Sequence, residues 1–259
     1  LMLDIIANND WKRPIYFTGG SYSDEEYIWM RDYLQLDGMA YKLVPIKTPI
    51  DKDNPYDMGR IDGDLMYDIV KSWDWGNMDD PNIYHDPETR RNTIVFRGNL
   101  ARLTETLIAE DKLDKAKDII DIATTRIPIN HIGYYFTLEP FISGYYAVKE
   151  PEKARQLFLE VARKYQEKVE YYLTFSQLNF IRLSDEIAYD LRRYQVLLLS
   201  LIEDRAFFKE QKAIYDNYID RLKKLGKAYG FATEEEPSAN DQEDSLQAPD
   251  PEDSTNLGL

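Results

Sequence analysis

Two aspartates in an irregular stretch of the chain, Asp62 and Asp64, are the first candidates for acid–base chemistry. Glycoside hydrolases use a pair of carboxylates that flank the glycosidic bond, and the distance between the two predicts whether the configuration is retained or inverted. Asp79 and Asp80 form a second such pair. The chain contains 47 acidic residues, so pairs of this kind arise often, and solvated turn residues are the favoured interpretation. A carbohydrate-active enzyme that uses these loop carboxylates remains one hypothesis.

Other catalytic and metal-binding patterns are missing from the sequence. The two histidines, His85 and His131, lie in different segments, and no G-x-S-x-G context accompanies them. No glycine-rich nucleotide motif is present. The lack of cysteine excludes disulfides, thiolate metal sites and a cysteine nucleophile. The acidic cluster is formed by Asp51, Asp53, Asp57, Asp62 and Asp64, and it does not have the spacing of a calcium loop. We therefore expect no catalytic residue in this chain, no metal and no cofactor.

Aromatic and charged side chains are the remaining candidates for binding. Outward-facing tyrosines could stack on a peptide or a sugar, although packing in the core is the favoured interpretation for most of them. Four arginines are expected to fasten the N-terminal region to the helices by pairing with the acids of 51–64: Arg90, Arg91, Arg97 and Arg102. The candidate ligand- or partner-binding residues are Asp37, Tyr41, Arg60, Asp62, Asp64, Trp73, Trp75, Arg97, Tyr134 and Tyr135.

The net charge of −15 is unevenly distributed. Residues 232–259 carry nine acidic and no basic groups, and residues 1–231 carry 38 acidic against 32 basic. The body is thus only mildly acidic, so we expect no nucleic-acid partner. The tail has too few apolar residues to offset its chain entropy and is predicted to be disordered. No signal peptide is evident, and the opening LMLDIIANN, which lacks an initiator methionine, suggests a piece of a longer protein.

The N-terminal region predicts a small α/β unit. Residues 1–9 favour a short helix, and Ser23 with Glu26 predicts a capped helix from Asp24 to about Tyr33. A short apolar strand precedes that helix, and LQLDGMAYKLVPI predicts a hairpin that turns at Asp37-Gly38, the signature of a type I′ turn. Residues 47–86 are irregular apart from one helix near 64–73.

The stretch from Phe96 to Pro128 predicts two amphipathic helices folded against each other. Shifting its six apolar positions by 38 residues gives six apolar positions again, with Ala116 matched by Ala154. The pattern is that of tetratricopeptide repeats, and the four residues beyond the usual 34 must lie in the connection RIPINHIGYYFT. The predicted fold is mainly α: a tetratricopeptide-like array preceded by an α/β unit with a β-hairpin. The predicted domains are 1–86, 87–231 and the tail 232–259.

Four strings resemble a known family: WKRPIYFTGG, DYLQLDGMAYKLVPIK, MGRIDGDLMYD and SWDWGNMDDP. They are similar to the C-terminal soluble region of bacterial multi-spanning membrane proteins related to protein O-mannosyltransferases. The resemblance covers about residues 3–128. It implies that the catalytic acid and the lipid-sugar site lie in a membrane portion outside this sequence.

The resemblance therefore implies a non-catalytic accessory domain on the periplasmic side of the inner membrane. Its expected partners are an acceptor protein or glycan and the membrane portion of its own parent chain. The repeats alone favour a second hypothesis, a free-standing peptide-binding adaptor.

Overall fold

A computed structural model describes residues 1–18, 27–48 and 58–230 of the chain. Three parts of the sequence predictions lie outside these residues: the Ser23–Glu26 capping box, the acids Asp51, Asp53 and Asp57, and the tail 232–259.

The N-terminal unit begins with helix α1 (Met2–Asn9) and contains strands β1 (Tyr16–Thr18), β2 (Leu34–Asp37) and β3 (Ala40–Leu43). The strands form an antiparallel sheet in the order β1-β3-β2. The predicted hairpin is present, but its turn residues are Gly38 and Met39, because Asp37 still pairs with Ala40. Only the first turn residue has a positive φ, 69° at Gly38, which is the requirement of a type II′ turn rather than the predicted type I′.

The two faces of this sheet differ in polarity because neighbouring residues of a strand point to opposite sides. One face is apolar and carries Leu34, Leu43 and Phe17, which pack beneath α1 and a short 3-10 helix, Ile28–Tyr33. The helix predicted from Asp24 to about Tyr33 is α-helical at Tyr27 and continues as a 3-10 helix from Ile28 to Tyr33 within its described part. The other face carries Tyr16, Gln35 and Asp37 in a hydrogen-bonded network.

Helix α2 (Gly63–Lys71) connects the sheet to the helical region and packs against β2 and the long helix α3 (Pro87–Ala109). Arginines were predicted to pair with the acids of 51–64, but Asp62 caps α2 and Asp64 pairs with two lysines instead. For Asp51, Asp53 and Asp57, which lie outside the described residues, the pairing stays a prediction. Arg102 does fasten the N-terminal unit, but it donates to the main-chain carbonyls of Met58 and Gly59 at 3.0 and 2.7 Å. Main-chain carbonyl oxygens, like carboxylates, accept hydrogen bonds from a guanidinium. Because every residue has such a carbonyl, this kind of partner cannot be recognised from the sequence.

Two helical hairpins follow, α3 with α4 (Leu113–Thr125) and α6 (Glu139–Ala147) with α7 (Pro151–Tyr172). Helices α3 and α6 end 38 residues apart, and α4 and α7 begin 38 residues apart. The positions paired by this shift are all buried: Leu100 and Leu138, Leu103 and Phe141, Leu107 and Tyr145, Ala116 and Ala154, Ile120 and Phe158, Ala123 and Val161.

The turns inside the two hairpins repeat in geometry as well. Asp111 and Lys149 both have left-handed backbones, with φ of 57° and 64°. The next residue in each turn donates its N–H five residues back, Lys112 to Leu107 and Glu150 to Tyr145, both at 2.8 Å. This is the hydrogen bond of a Schellman motif, which satisfies a helix carbonyl at the C-terminus. The internal repeat therefore extends to the backbone conformation of the turn.

The surplus length lies between the hairpins, where the short helix α5 (Ile129–Ile132) and a 3-10 turn (Tyr135–Leu138) occupy the connection. A third pair of long helices follows: α9 (Ser184–Leu199), preceded by the short α8 (Gln177–Arg182), and α10 (Arg205–Ala228). The predicted fold class is confirmed, because the described chain is mainly helical with a small sheet at its start. The assignment of the hairpins to the tetratricopeptide class stays a prediction.

Candidate functional site

The sheet brings together two of the predicted binding residues, Asp37 and Arg60. Asp37 accepts from Gln35 Nε2 at 2.8 Å and from the Tyr16 hydroxyl at 3.0 Å, and Arg60 Nη1 donates to Gln35 Oε1 at 2.7 Å. Burial and the neighbouring Asp37 raise the pKa of Tyr16. Gln35 and Asp37 are buried, and the network supplies the hydrogen bonds that their polar atoms need.

The two loop carboxylates serve different elements. Asp62 is the N-cap of α2 and accepts from the Leu65 N–H at 3.1 Å. Asp64 accepts from Lys112 and Lys115, both at 2.7 Å. These hydrogen bonds lower the pKa of Asp64 to about 2. A general acid needs a raised pKa, whereas the pKa of Asp64 is lowered and Asp62 is used as a helix cap. The arrangement therefore gives no support to glycosidic chemistry at this pair.

The predicted tryptophans pack into the protein. The ring of Trp73 lies 5.4 Å from that of Trp75 and 5.6 Å from that of Phe96, both edge to face. Tyr41 lies between the sheet cluster and the main core. These aromatic side chains fasten the N-terminal unit to α3.

Arg97, Tyr134 and Tyr135 meet at the connection between the hairpins. Arg97 is completely buried, and burial lowers its pKa to about 10, so it remains cationic at neutral pH. The ring of Tyr135 packs edge to face against Tyr165 at 4.9 Å. Arg97 donates to main-chain carbonyls of the connection, and this group of residues organises it.

A groove of about 590 Å³ lies elsewhere, where α3, α6 and α9 meet. These are the first helices of the three helical pairs. The groove is lined mainly by apolar or small side chains, including Ile108, Pro140, Ala147, Val196 and Leu199. Its size is within the range of ligand-binding clefts.

The charge of the groove has one sign. Three glutamates, Glu105, Glu139 and Glu203, are among its described lining residues, and that set contains no lysine or arginine. A second cleft along α7 has mixed charges, with Glu152 pairing with Arg155. The groove between α3, α6 and α9 is therefore the described cleft with the stronger preference for a cationic partner.

Glu139 lies at the floor of this groove with most of its side chain buried. Its Oε2 accepts from Arg193 Nη2 at 2.7 Å, whereas Oε1 is buried without a hydrogen-bond partner among the described residues. Burial raises the pKa of Glu139 to about 7, against the opposing effect of Arg193. The charge of the groove floor therefore changes near neutral pH.

The sequence analysis did not identify these groove residues as a site. A usable signal was present at the end of α9, where Val196 and Leu199, and Ile202 just beyond the helix, are apolar at a spacing of three. Their side chains are exposed, by 38, 57 and 69%, while Leu197, Leu198 and Leu201 are buried. A helix segment that is apolar on more than one face has a second surface to cover.

Among residues 1–18, 27–48 and 58–230, no group of three or more His, Asp or Glu side chains is placed to hold a metal ion. In the same residues no helix is long and apolar enough to cross a membrane.

Comparison with known proteins gives one finding. A family model described as TMEM260-associated domain 2 matches residues 1–65, about a quarter of the chain. The match indicates the context of a TMEM260-like membrane protein related to O-mannosyltransferases. Neither the curated proteins nor the solved structures give a match.

Proposed function

We propose that this chain is a non-catalytic accessory region of a glycosyltransferase-like membrane protein, and that it binds a polypeptide partner in the groove between α3, α6 and α9. The groove is the observation that carries the proposal, and the family match at residues 1–65 supports the membrane-protein context. The fitting occupant is an acceptor or partner segment with apolar side chains flanked by lysine or arginine.

Shape and charge support a polypeptide rather than a sugar. The exposed side chains of Val196 and Leu199 give the groove an aliphatic wall. Aliphatic side chains contribute to binding by burying apolar area, which a hydrophilic glycan offers less of. Glu105 and Glu203 are exposed near this wall and favour cationic side chains.

The orientation of the parent protein forms part of the same proposal. We infer from the family resemblance that the region faces the periplasm and contacts the membrane portion of its own chain. Reading the coding sequence upstream tests this part: several long apolar spans are expected, and a short leader with no such span would contradict it.

Peptide binding is tested by calorimetry with a synthetic amphipathic peptide of leucine and lysine. Val196→Ser combined with Leu199→Ser should weaken binding by about tenfold or more, because small polar side chains then replace the apolar wall without changing its charge. The matched control is Leu178→Ser with Ile181→Ser, which changes two exposed apolar residues of α8 outside the groove. Equal losses in both variants, or no binding by the wild type, would refute the groove as the site.

A further inference from the structure

The two edges of the small sheet differ in how the chain treats them. At the β2 edge, Arg60 donates its main-chain N–H to the Leu34 carbonyl at 2.9 Å and accepts from the Leu36 N–H at 2.8 Å. A neighbouring segment of the chain therefore takes the place that a further strand would occupy there. An unpaired sheet edge is a template for another strand, so strand addition is restricted to the β1 edge.

The β1 edge presents main-chain groups that lack partners. Leu43 donates its N–H to the Ile15 carbonyl at 2.9 Å, so the main chain of Ile15 faces β3. Successive residues of an antiparallel strand alternate between its two sides, and the N–H and C=O of Tyr16 and Thr18 therefore point away from β3. Within the described part of the chain, no main-chain hydrogen bond reaches either residue on that side. Both residues are exposed.

An apolar cavity of about 530 Å³ lies beside this edge, on the sheet face that carries α1. Leu1 and Ile5 are 97 and 49% exposed, and their spacing of four places them on the flank of α1 that borders the cavity. A strand that fits this edge needs apolar side chains at alternate positions on the cavity side. The lining residues are all apolar: Leu1, Met2, Ile5, Ile6, Ile15 and Phe17.

Strand β1 of a second copy has the required pattern. The side chains of Ile15 and Phe17 lie on the apolar face of the sheet, whereas Tyr16 between them lies on the polar face. Antiparallel pairing about a two-fold axis places Tyr16 opposite Tyr16 of the other copy, and Ile15 opposite Phe17. The two cavities then meet at the axis. One strand supplies both sides of the contact, as an isologous interface requires.

The hydrogen bonds fit the same register. The two copies of Tyr16 exchange a pair of N–H···O=C bonds, and each Thr18 N–H meets the Pro14 carbonyl of the other copy. Proline weakens strand addition because it has no N–H. In this register Pro14 supplies only an acceptor, so its missing N–H leaves just the Thr18 carbonyl to solvent.

We propose that two copies of this chain associate edge to edge through β1 and form one six-stranded antiparallel sheet. Because Arg60 closes the opposite edge, the assembly ends at two copies and does not grow into a fibre. The paired strand is short, so the interface belongs to the small class of about 1,200 Å² or less, and the dimer should dissociate on dilution. The inference goes beyond the proposed function and does not depend on the groove.

Cross-linking is a direct test because the chain contains no cysteine. Tyr16→Cys places one thiol of each copy at the axis, where paired Cα atoms are about 5.5 Å apart, a separation that a disulfide spans. Mild oxidation should convert this variant mainly to a disulfide-linked dimer. Tyr84→Cys is the control, since Tyr84 is 80% exposed and outside the sheet. It should cross-link about tenfold more slowly or less, because its thiols are not held together.

Sedimentation equilibrium of the whole 259-residue chain tests the hydrogen bonds and the apolar contact separately. Thr18→Pro removes an N–H that points away from β3, so the sheet within one copy keeps its hydrogen bonds, and the dissociation constant should rise by about tenfold or more. Thr18→Val keeps the N–H and should associate as wild type does. Leu1→Ser with Ile5→Ser leaves the strand unchanged and should weaken association on the order of tenfold.

Three results would each overturn the inference. The first is a wild type that stays monomeric up to about 1 mM chain. The second is equal cross-linking of the two cysteine variants. The third is an association that neither Thr18→Pro nor the Leu1→Ser, Ile5→Ser variant weakens. Peptide binding in the groove should be equal in wild type and in all of these variants, so failure of this inference is distinguishable from failure of the proposed function.

Discussion

Arg97 donates from Nη1 to the main-chain carbonyl of Tyr134 at 3.0 Å. The same guanidinium donates to the carbonyls of Ile127 and Gly133 at 2.6 and 2.8 Å and to Thr137 Oγ1 at 3.1 Å. A side chain of the first hairpin thus holds the whole connection that leads into the second. Tyr134 has a left-handed backbone, with φ of 47°, and these hydrogen bonds help to maintain that strained conformation.

Replacing Arg97 should therefore destabilise the fold. Arg97→Leu removes the donor from the carbonyls of Ile127 and Gly133, whereas the Tyr134 carbonyl still accepts from Thr137. We expect a loss of about 3 kcal/mol in the free energy of unfolding. Denaturation with urea measures it. Arg91→Leu is the control, since Arg91 lies on the same helix with an exposed side chain, and its effect should stay within about 0.5 kcal/mol. Similar losses in both variants would contradict the structural role of Arg97.

Gly38 at the hairpin turn should resist substitution for two separate reasons. Its φ is 69°, and an added Cβ would lie 3.0 Å from the Trp73 ring and 3.1 Å from Ile69. Gly76 has a similar φ of 56° but no atom within 4 Å of such a Cβ. Gly76→Ala should thus cost about 1 kcal/mol from the backbone alone, and Gly38→Ala about 2 kcal/mol or more because packing adds to it. Thermal unfolding of the two variants checks the difference, and equal costs would rule out the packing contribution.

Glycine should stabilise the fold at the two left-handed positions of the repeated turn, which are occupied by Asp111 and Lys149. Asp111 and Lys149 are left-handed and exposed, and glycine adopts this conformation without a Cβ penalty. Lys149→Gly should raise the free energy of unfolding by about 0.5 to 1 kcal/mol, and Asp111→Gly by a similar amount. Lys209→Gly, in the middle of exposed helix surface, should instead lower it by about 1 kcal/mol. Destabilisation by the two turn variants would count against the shared turn geometry.

The stability of the protein should fall as the pH rises toward neutrality because of Glu139. Its pKa is raised from 4.5 to about 7 by burial, so the folded state keeps a proton that the unfolded state releases between these values. That stabilising contribution is complete below about pH 4.5 and lost as the pH passes 7, with a size of about 1 to 3 kcal/mol. Glu139→Gln, which resembles the protonated form, should flatten this part of the pH profile of unfolding. An unchanged profile in that variant would exclude Glu139 as its source.

The helical part of the fold was predictable because its signals are periodic and local. The six predicted apolar positions of each hairpin are buried, and α3 starts at Asp86 and Pro87, a pair that is typical of a helix start. The charged outer face of α10 is exposed, for example at Lys209 and Lys212. These features depend on residues a few positions apart, which a sequence displays directly.

The site was harder to predict because it depends on long-range partners. Asp62, Asp64 and Arg97 were identified from residue type and context. In the structure Asp62 caps a helix, Asp64 pairs with a lysine, and Arg97 donates to main-chain carbonyls. Main-chain carbonyls carry no residue identity, so the role of Arg97 could not be inferred. The groove requires three helices from separate hairpins to meet, and only the exposed apolar residues of α9 hinted at it.

The charge of the groove provides the sharpest test of peptide binding. Affinity is measured for two peptides of equal length, one of leucine and lysine and one in which glutamate replaces lysine, against wild type and the Glu105→Lys, Glu203→Lys double variant. Wild type should bind the lysine peptide more tightly by about tenfold or more, and the double variant should prefer the glutamate peptide. Equal affinity of wild type for both peptides, or an unchanged preference after the charge reversal, would contradict the groove as a site for cationic polypeptide segments.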